Sequence, residues 1–211
     1  MPKTTLYIVR HGQTEWNVEK RMQGHKDSPL TELGEWQARW LSEALAPIKF
    51  DEIYSSSSGR AVKTAEIISG KPKDQIKVTD QLKEMHLGVW EGEIQATIRE
   101  NDQKRFSSFW NDPEQFEANG GESFIDVQKR VLPELQRIIA NHTGKNILIV
   151  THTVIIKILM AYFEERPLSK LWDPPYIHPA CLCKVELEEG KHRICLHGDI
   201  SHYKHEAVGL Y

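Results

Sequence analysis

Apolar positions along the chain fall into two periods, one suited to strands and one to helices. TTLYIVR, residues 4–10, is a short apolar run that breaks at Arg10 and His11 before a turn at Gly12, the pattern of a strand buried on both faces. Thr14 follows as a cap for a short helix. From Thr31, the positions Leu33, Trp36, Trp40, Leu41, Ala44, Leu45 and Ile48 recur at three- and four-residue intervals, which predicts an amphipathic helix closed by Pro47. DEIYSSS predicts a second strand, and SGRAVKTAEIISG a second helix with Gly70 as its left-handed cap.

Residues 76–79 carry a weaker strand pattern, and 93–120 are polar with scattered aromatics (Phe106, Phe109, Trp110, Phe116), which predicts a helical insertion placed as a lid. A helix is expected from Glu122 to Asn141, kinked or split at Pro133 because the ring removes a backbone donor. NILIVT reads as a buried strand, followed at once by His152 and the apolar helix VIIKILMAYF. ACLCKVELEEGKHRICLHG alternates around Glu189-Gly190 and predicts an antiparallel hairpin on the sheet edge. Strands and helices alternating in this way predict an α/β fold: a three-layer sandwich with a mostly parallel central sheet and an antiparallel edge hairpin, as one domain over 1–211.

Composition narrows the function classes. The 211 residues suffice to bury roughly 70% of the unfolded surface. A formal charge of −3 argues against nucleic acid or an anionic membrane as partner, so any anion site is local. MPKTTLYIVR has too short an apolar stretch for a signal peptide, and no run approaches a membrane span, so a cytoplasmic address is expected. Cys181, Cys183 and Cys195 form no disulfide framework; with His192 and His197 they also lack paired Cys-x-x-Cys spacing, so neither a metal nor another cofactor is expected. The six tryptophans are expected mainly in packing, with Trp110 the one placed at a substrate cleft.

Parallel sheets bind ligands outside the carboxyl ends of their strands. Three predicted strands end there in cations or imidazoles: Arg10 and His11 after the first, Arg60 just after the second, and His152 after NILIVT. A single Arg or His at a strand end is more often a satisfied surface residue, but four at one sheet edge make a phosphate pocket, since guanidiniums match phosphate oxygens bidentately. Glu84, in LKEMHLGVWEG, is by position alone an ordinary carboxylate, and gains interest because a leaving alkoxide needs an acid.

IVRHGQTEWN resembles the signature of the histidine phosphatase superfamily, the family of phosphoglycerate mutases and related phosphatases. The resemblance continues through DSPLTELG, YSSSSGRAVKTAE, EMHLGVWEG, GGESFIDV and VTHTVIIK, and so spans essentially the whole chain. It implies a phosphoglycerate mutase-like fold, a phosphate pocket of Arg10, His11, Arg60 and His152, polar contacts from Asn17 and Gln23, and Glu84 as proton donor. It also implies a metal-independent phosphatase that takes small phosphomonoesters, releases inorganic phosphate and passes through a phosphohistidine on His11. EMHLGVWEG is similar to the phosphatase relatives, whereas the mutases carry a segment like Arg-His-Tyr-Gly; DPPY and the closing GDISH resemble the broad-specificity branch. A cofactor-dependent mutase and a non-catalytic phosphate-binding module are the alternatives. One departure stands out: the residue after the second histidine is usually Gly, and here it is Thr153, counted with the substrate contacts. Oligomeric state is open.

Overall fold

In a computed structural model, which describes residues 2–204, the chain builds one six-stranded sheet. In chain order the elements are β1 (Thr4–Arg10), α1 (Glu15–Val18), α2 (Glu32–Leu45), β2 (Glu52–Ser56), α3 (Gly59–Ser69), β3 (Lys77–Thr79), α4 (Gln95–Asn101), α5 (Gln103–Asn111), α6 (Phe124–Asn141), β4 (Asn146–Thr151), α7 (Thr153–Phe163), β5 (Leu182–Glu188) and β6 (Lys191–Asp199). The strand order is β3-β2-β4-β1-β5-β6. The first four are mutually parallel, while β5 pairs antiparallel with β1 and carries β6 as the edge. Glu189 and Gly190, with φ of 52° and 73°, close that hairpin in the positive-φ geometry that suits a tight two-residue turn.

Strand alternation divides the core into two layers. Leu6, Ile8, Ile147 and Ile149 pack with Val127, Val131, Leu135 and Ile138 of α6 and with Ile155, Ile158 and Leu159 of α7. Tyr7, Val9, Leu148 and Val150 face Ala38, Leu41 and Leu45 of α2 and Ala61, Ala65 and Ile68 of α3. The central strands are therefore apolar on both faces, as a sheet covered by helices on either side requires. Cys181 and Cys183 lie buried in this framework, and burial pushes the Cys183 thiol up to about 12. Among the described residues no helix is long and apolar enough to cross a membrane.

Two expectations are corrected. Pro133 does not split its helix: α6 runs through it from Phe124 to Asn141, started by a Ser123–Asp126 capping box. One lost backbone bond is outweighed by burial of Val127, Val131, Leu135 and Ile138 on either side of the ring. The stripe on α2 is also shifted in part: Trp40, Leu41 and Leu45 are buried as expected and Gly34, Gln37 and Ala38 join them, while Trp36 is 44% exposed and Ala44 lies outside. The cause is a close backbone approach. A Cβ on Gly34 would stand 2.0 Å from Gln13 O, and one on Gly12 2.3 Å from Gly34 O, so the loop leaving β1 rests directly on α2.

Residues 93–120 contain helices as expected, α4, α5 and a turn at Pro113–Gln115, and this segment is anchored in the core. Phe109 and Phe116 are buried against Trp90 and Phe124, and the Trp90 indole donates to Asp102 Oδ2 at 3.1 Å.

Gly34→Ala tests the close approach. Alanine improves helix propensity by roughly 1 kcal/mol, yet its methyl must displace backbone, so urea unfolding should show a net loss of about 1–3 kcal/mol. A neutral or stabilised variant would mean that the loop after β1 retreats freely.

Candidate active site

The carboxyl ends of β1, β4 and β2 lie side by side and bring the strand-end residues together. Arg10 pairs in register with Thr151, and the His11 N–H extends that ladder by donating to Thr151 O at 3.0 Å. On the other side Ala180 N donates to His11 O at 3.1 Å. His11 and His152 therefore emerge next to each other, ring centroids 5.2 Å apart. Both are buried, as are Arg10 and Arg60, at 7% and 2% exposure.

The His11 tautomer is set by its neighbour. Nδ1 lies 2.7 Å from Gly12 O, a carbonyl that can only accept, so Nδ1 carries the proton and Nε2 keeps its lone pair. Gly12 is held in turn by donation to Thr64 Oγ1 at 3.1 Å, and Thr64 Oγ1 donates to Arg60 O at 2.7 Å, which ties the loop after β1 to α3. Burial, then the fields of Arg60 and Arg10, hold the His11 pKa well below its ordinary 6.5 against the opposing Gly12 bond. His152 is lowered by burial and by Arg60, His11 and Arg10. Both rings stay neutral at neutral pH.

Arg60 is fixed from behind: Nη1 donates to Lys26 O at 2.8 Å and Asp27 Oδ1 at 2.7 Å, and Nη2 to Gly24 O at 2.9 Å. Arg10 Nη1 donates to Ile177 O at 2.7 Å. Arg10 Nε, Arg60 Nε and His152 Nδ1 are buried without a protein partner among the described residues. His152 Nε2 lies 2.8 Å from Ser56 Oγ. The Ser56 hydroxyl in turn lies 3.4 Å from its acceptor Ser58 Oγ. Buried orphan donors are rare, and two guanidinium Nε groups beside one imidazole match an oxyanion.

Glu84 stands on the loop after β3. Its Oε1 accepts from Met85 N at 2.8 Å, and its Oε2 accepts from Val154 N at 3.2 Å in the first turn of α7. Burial raises its pKa above the ordinary 4.5, outweighing those two bonds and the fields of Arg60 and Arg10. The acid thus sits within the same electrostatic neighbourhood as both guanidiniums. Asn17 is half-buried, its Oδ1 taken by Thr14 N at 3.0 Å in a capping box, which leaves its amide N–H groups as donors. Gln23 is buried with Oε1 unpartnered. Thr153 is the first residue of α7 and does not adopt positive φ, so the site does not demand glycine there. Trp110 is not drawn into this cluster: it packs on Trp172 and Phe109 at centroid distances of 4.6 and 4.8 Å.

Several supporting residues escape sequence reasoning. Ser56, Asp27 and Ile177 orient His152, Arg60 and Arg10 across long separations. Arg130 on α6 reaches over to donate to Gln81 O at 2.7 Å and Lys83 O at 3.0 Å, and grips Glu122, whose Oε2 accepts from His86 N at 2.8 Å. It therefore braces the loop bearing Glu84. The one sequence signal was the buried serine pair Ser55-Ser56 at a strand end, polar where an apolar residue would pack better.

The architecture agrees with the comparisons. The chain belongs to the histidine phosphatase superfamily (branch 1), whose family model matches residues 6–200. It is 38% identical over 170 residues to phosphoglycerate mutase-like protein 4 of Arabidopsis thaliana, covering 78% of this chain and 72% of that one. It is 34% identical over 168 residues to phosphoserine phosphatase 1 of Hydrogenobacter thermophilus, with 79% of each covered. Among solved structures, Bacillus stearothermophilus YhfR superposes with a TM-score of 0.90 at 45% identity, covering 94% of this chain and 98% of that one.

Neutral burial of two imidazoles has a stability signature. Below their unfolded pKa of 6.5 the unfolded chain binds protons that folded His11 and His152 refuse, so stability falls as pH falls. Each contributes a slope of up to about 1.4 kcal/mol per pH unit. Urea unfolding at pH 7 and pH 5.5 should show a shallower loss in the variant with His11→Gln and His152→Gln than in the parent; equal losses would contradict neutral burial.

Proposed function

We propose that the chain is a metal-independent phosphatase that hydrolyses a range of small phosphomonoesters through a phosphohistidine on His11. The observation that carries this reading is the pair of Nε donors on Arg10 and Arg60 with no partner among the described residues, grouped around an imidazole whose Nδ1 is committed to Gly12 O. His11 Nε2 attacks phosphorus while the bond to the ester oxygen breaks. The protonated carboxyl of Glu84 delivers its proton to that oxygen, and the alcohol leaves. Glu84, now a carboxylate, takes a proton from water as its oxygen attacks the phosphohistidine; inorganic phosphate departs and both groups are restored. Arg10, Arg60 and His152 hold the equatorial oxygens and neutralise charge in the loose transition state, so the step needs no metal ion.

Asn17 and Gln23 supply further polar contacts to the phosphoryl group, with Thr153 beside His152. The rim formed by the lid, with Trp110 as its exposed aromatic, is assigned to the leaving group. Phosphoserine phosphatase 1, a named phosphatase among the relatives, supports a small phosphomonoester as substrate. The mutase-like name of the Arabidopsis relative favours a second reading, in which the phosphohistidine passes its phosphoryl group to a sugar-acid hydroxyl instead of water. Measuring phosphate release and 2-/3-phosphoglycerate interconversion side by side separates the two: faster interconversion would overturn the hydrolase.

His11→Ala should remove turnover of 4-nitrophenyl phosphate, while a chelator should leave the parent rate unchanged; retained turnover in the variant would end the phosphohistidine mechanism. Glu84→Gln should lower kcat by about 10²–10⁴-fold with alkyl phosphates and less with 4-nitrophenyl phosphate, whose leaving group needs little protonation. Because the Glu84 carboxyl must be protonated and its pKa is raised, activity should fall on the alkaline side as that proton is lost. The alkaline limb should vanish in Glu84→Gln; an unchanged profile would assign the acid elsewhere.

A further inference from the structure

Helix α7 is apolar apart from one charge: Lys157 lies at 4% exposure among Ile155, Ile156, Ile158 and Leu159. An ammonium in such a place is costly, and a methionine of similar volume would generally serve stability as well or better. Its Nζ donates to Asp173 O at 2.6 Å and Pro175 O at 2.8 Å. Arg166, just beyond α7, holds the same segment through Asp173 O at 3.1 Å and Pro174 O at 3.3 Å. Pro174 and Pro175 have no N–H with which to tie the segment into a ladder, so these two cations fix it through its carbonyls.

The segment leads directly to the candidate active site. Two residues beyond Pro175, the buried Ile177 presents its carbonyl to Arg10 Nη1 at 2.7 Å, and Arg10 Nε is left unpartnered. His178 is close enough for the Arg10 charge to lower its pKa, after burial. Nothing else in the described side-chain hydrogen bonds holds the Arg10 guanidinium. Its direction therefore depends on where residues 173–177 lie, which Lys157, with Arg166, helps to set.

We propose that Lys157 is a positioning residue for Arg10, acting through the Asp173–Ile177 segment to aim the guanidinium at the phosphoryl group. The inference rests on the reading of Arg10 as a phosphate ligand. A displacement on the order of 1 Å at such a group is enough to cost up to about a hundredfold in rate, so a residue remote from the chemistry can control it.

The test is a double-mutant cycle of Lys157→Met with Arg10→Ala, read by the inhibition constant of inorganic phosphate and by kcat and KM for 4-nitrophenyl phosphate. Lys157→Met should weaken phosphate inhibition about tenfold in the parent and less than about twofold once Arg10 is alanine. Equal factors in both backgrounds, or an unchanged inhibition constant, would overturn the proposal, because a purely structural lysine acts alike in both. Should Lys157→Met fail to fold, Arg166→Met releases the same segment and is judged by the same cycle. The Arg10 Nε–H resonance, followed by NMR, separates this inference from the reading it rests on. If Lys157 aims Arg10, that resonance shifts in Lys157→Met whatever Arg10 binds; an unmoved resonance overturns the positioning role. An Arg10→Ala variant with unaltered phosphate inhibition instead overturns only Arg10 as a phosphate ligand.

Discussion

Two guanidiniums buried at one end of a parallel sheet, Arg10 at 7% and Arg60 at 2% exposure, impose most of what surrounds them. Charges so placed need acceptors, and the chain provides backbone carbonyls and a single carboxylate: Ile177 O for Arg10; Gly24 O, Lys26 O and Asp27 for Arg60. These partners fix the direction of each fork and leave an Nε on each without one. The same two charges reach His11, His152 and Glu84. With burial they keep the imidazoles neutral, while for the carboxyl burial prevails over their opposing pull. His11 and Glu84 are thus held in complementary protonation states by one arrangement of charge, the separation that the proposed group transfer requires.

Placement of these groups comes from the backbone. Hydrogen bonds from His11 N to Thr151 O and from Ala180 N to His11 O hold the nucleophile between β4 and the approach to β5. Contact of the Gln13 loop with Gly34 sets the rotation of α2, and Thr64 joins Gly12 to α3. The acid arrives from a different layer, on a loop braced by Arg130 of α6 and completed by the N-terminus of α7. Both faces of the sheet thereby contribute to one cluster of side chains, and α5 is anchored in the core through buried Phe109, with Phe116 beside it.

Much of this is legible in the sequence because it follows from short-range pattern. The apolar runs ending at Arg10 and Thr151 announce buried parallel strands, and such strands must end where ligands bind, which draws attention to His11 and His152. Glu84 lies in irregular chain, where periodicity says nothing; the need for an acid drew attention to it, and the family resemblance gave it the role of proton donor. The exposure of Trp36 and Ala44 on α2 and the unsplit helix at Pro133 have a common origin: tertiary packing overrode local preference, through a glycine contact in one case and a buried stripe in the other. Arg130 and Lys157 were invisible because their partners lie beyond any local pattern, Lys83 being 47 residues from Arg130 and Pro175 18 from Lys157. Lys157 in particular looks like an interruption of an apolar helix until the carbonyls at 173 and 175 are placed against it.

The central claim is that the His11 imidazole, neutral and proton-free at Nε2, becomes covalently phosphorylated. Rapid quenching of the enzyme with radiolabelled phosphomonoester, followed by peptide mapping, measures this directly. Label that is acid-labile, base-stable and confined to the peptide containing His11 is the predicted result. Steady turnover with no label on the protein, or label on any other residue, would contradict it.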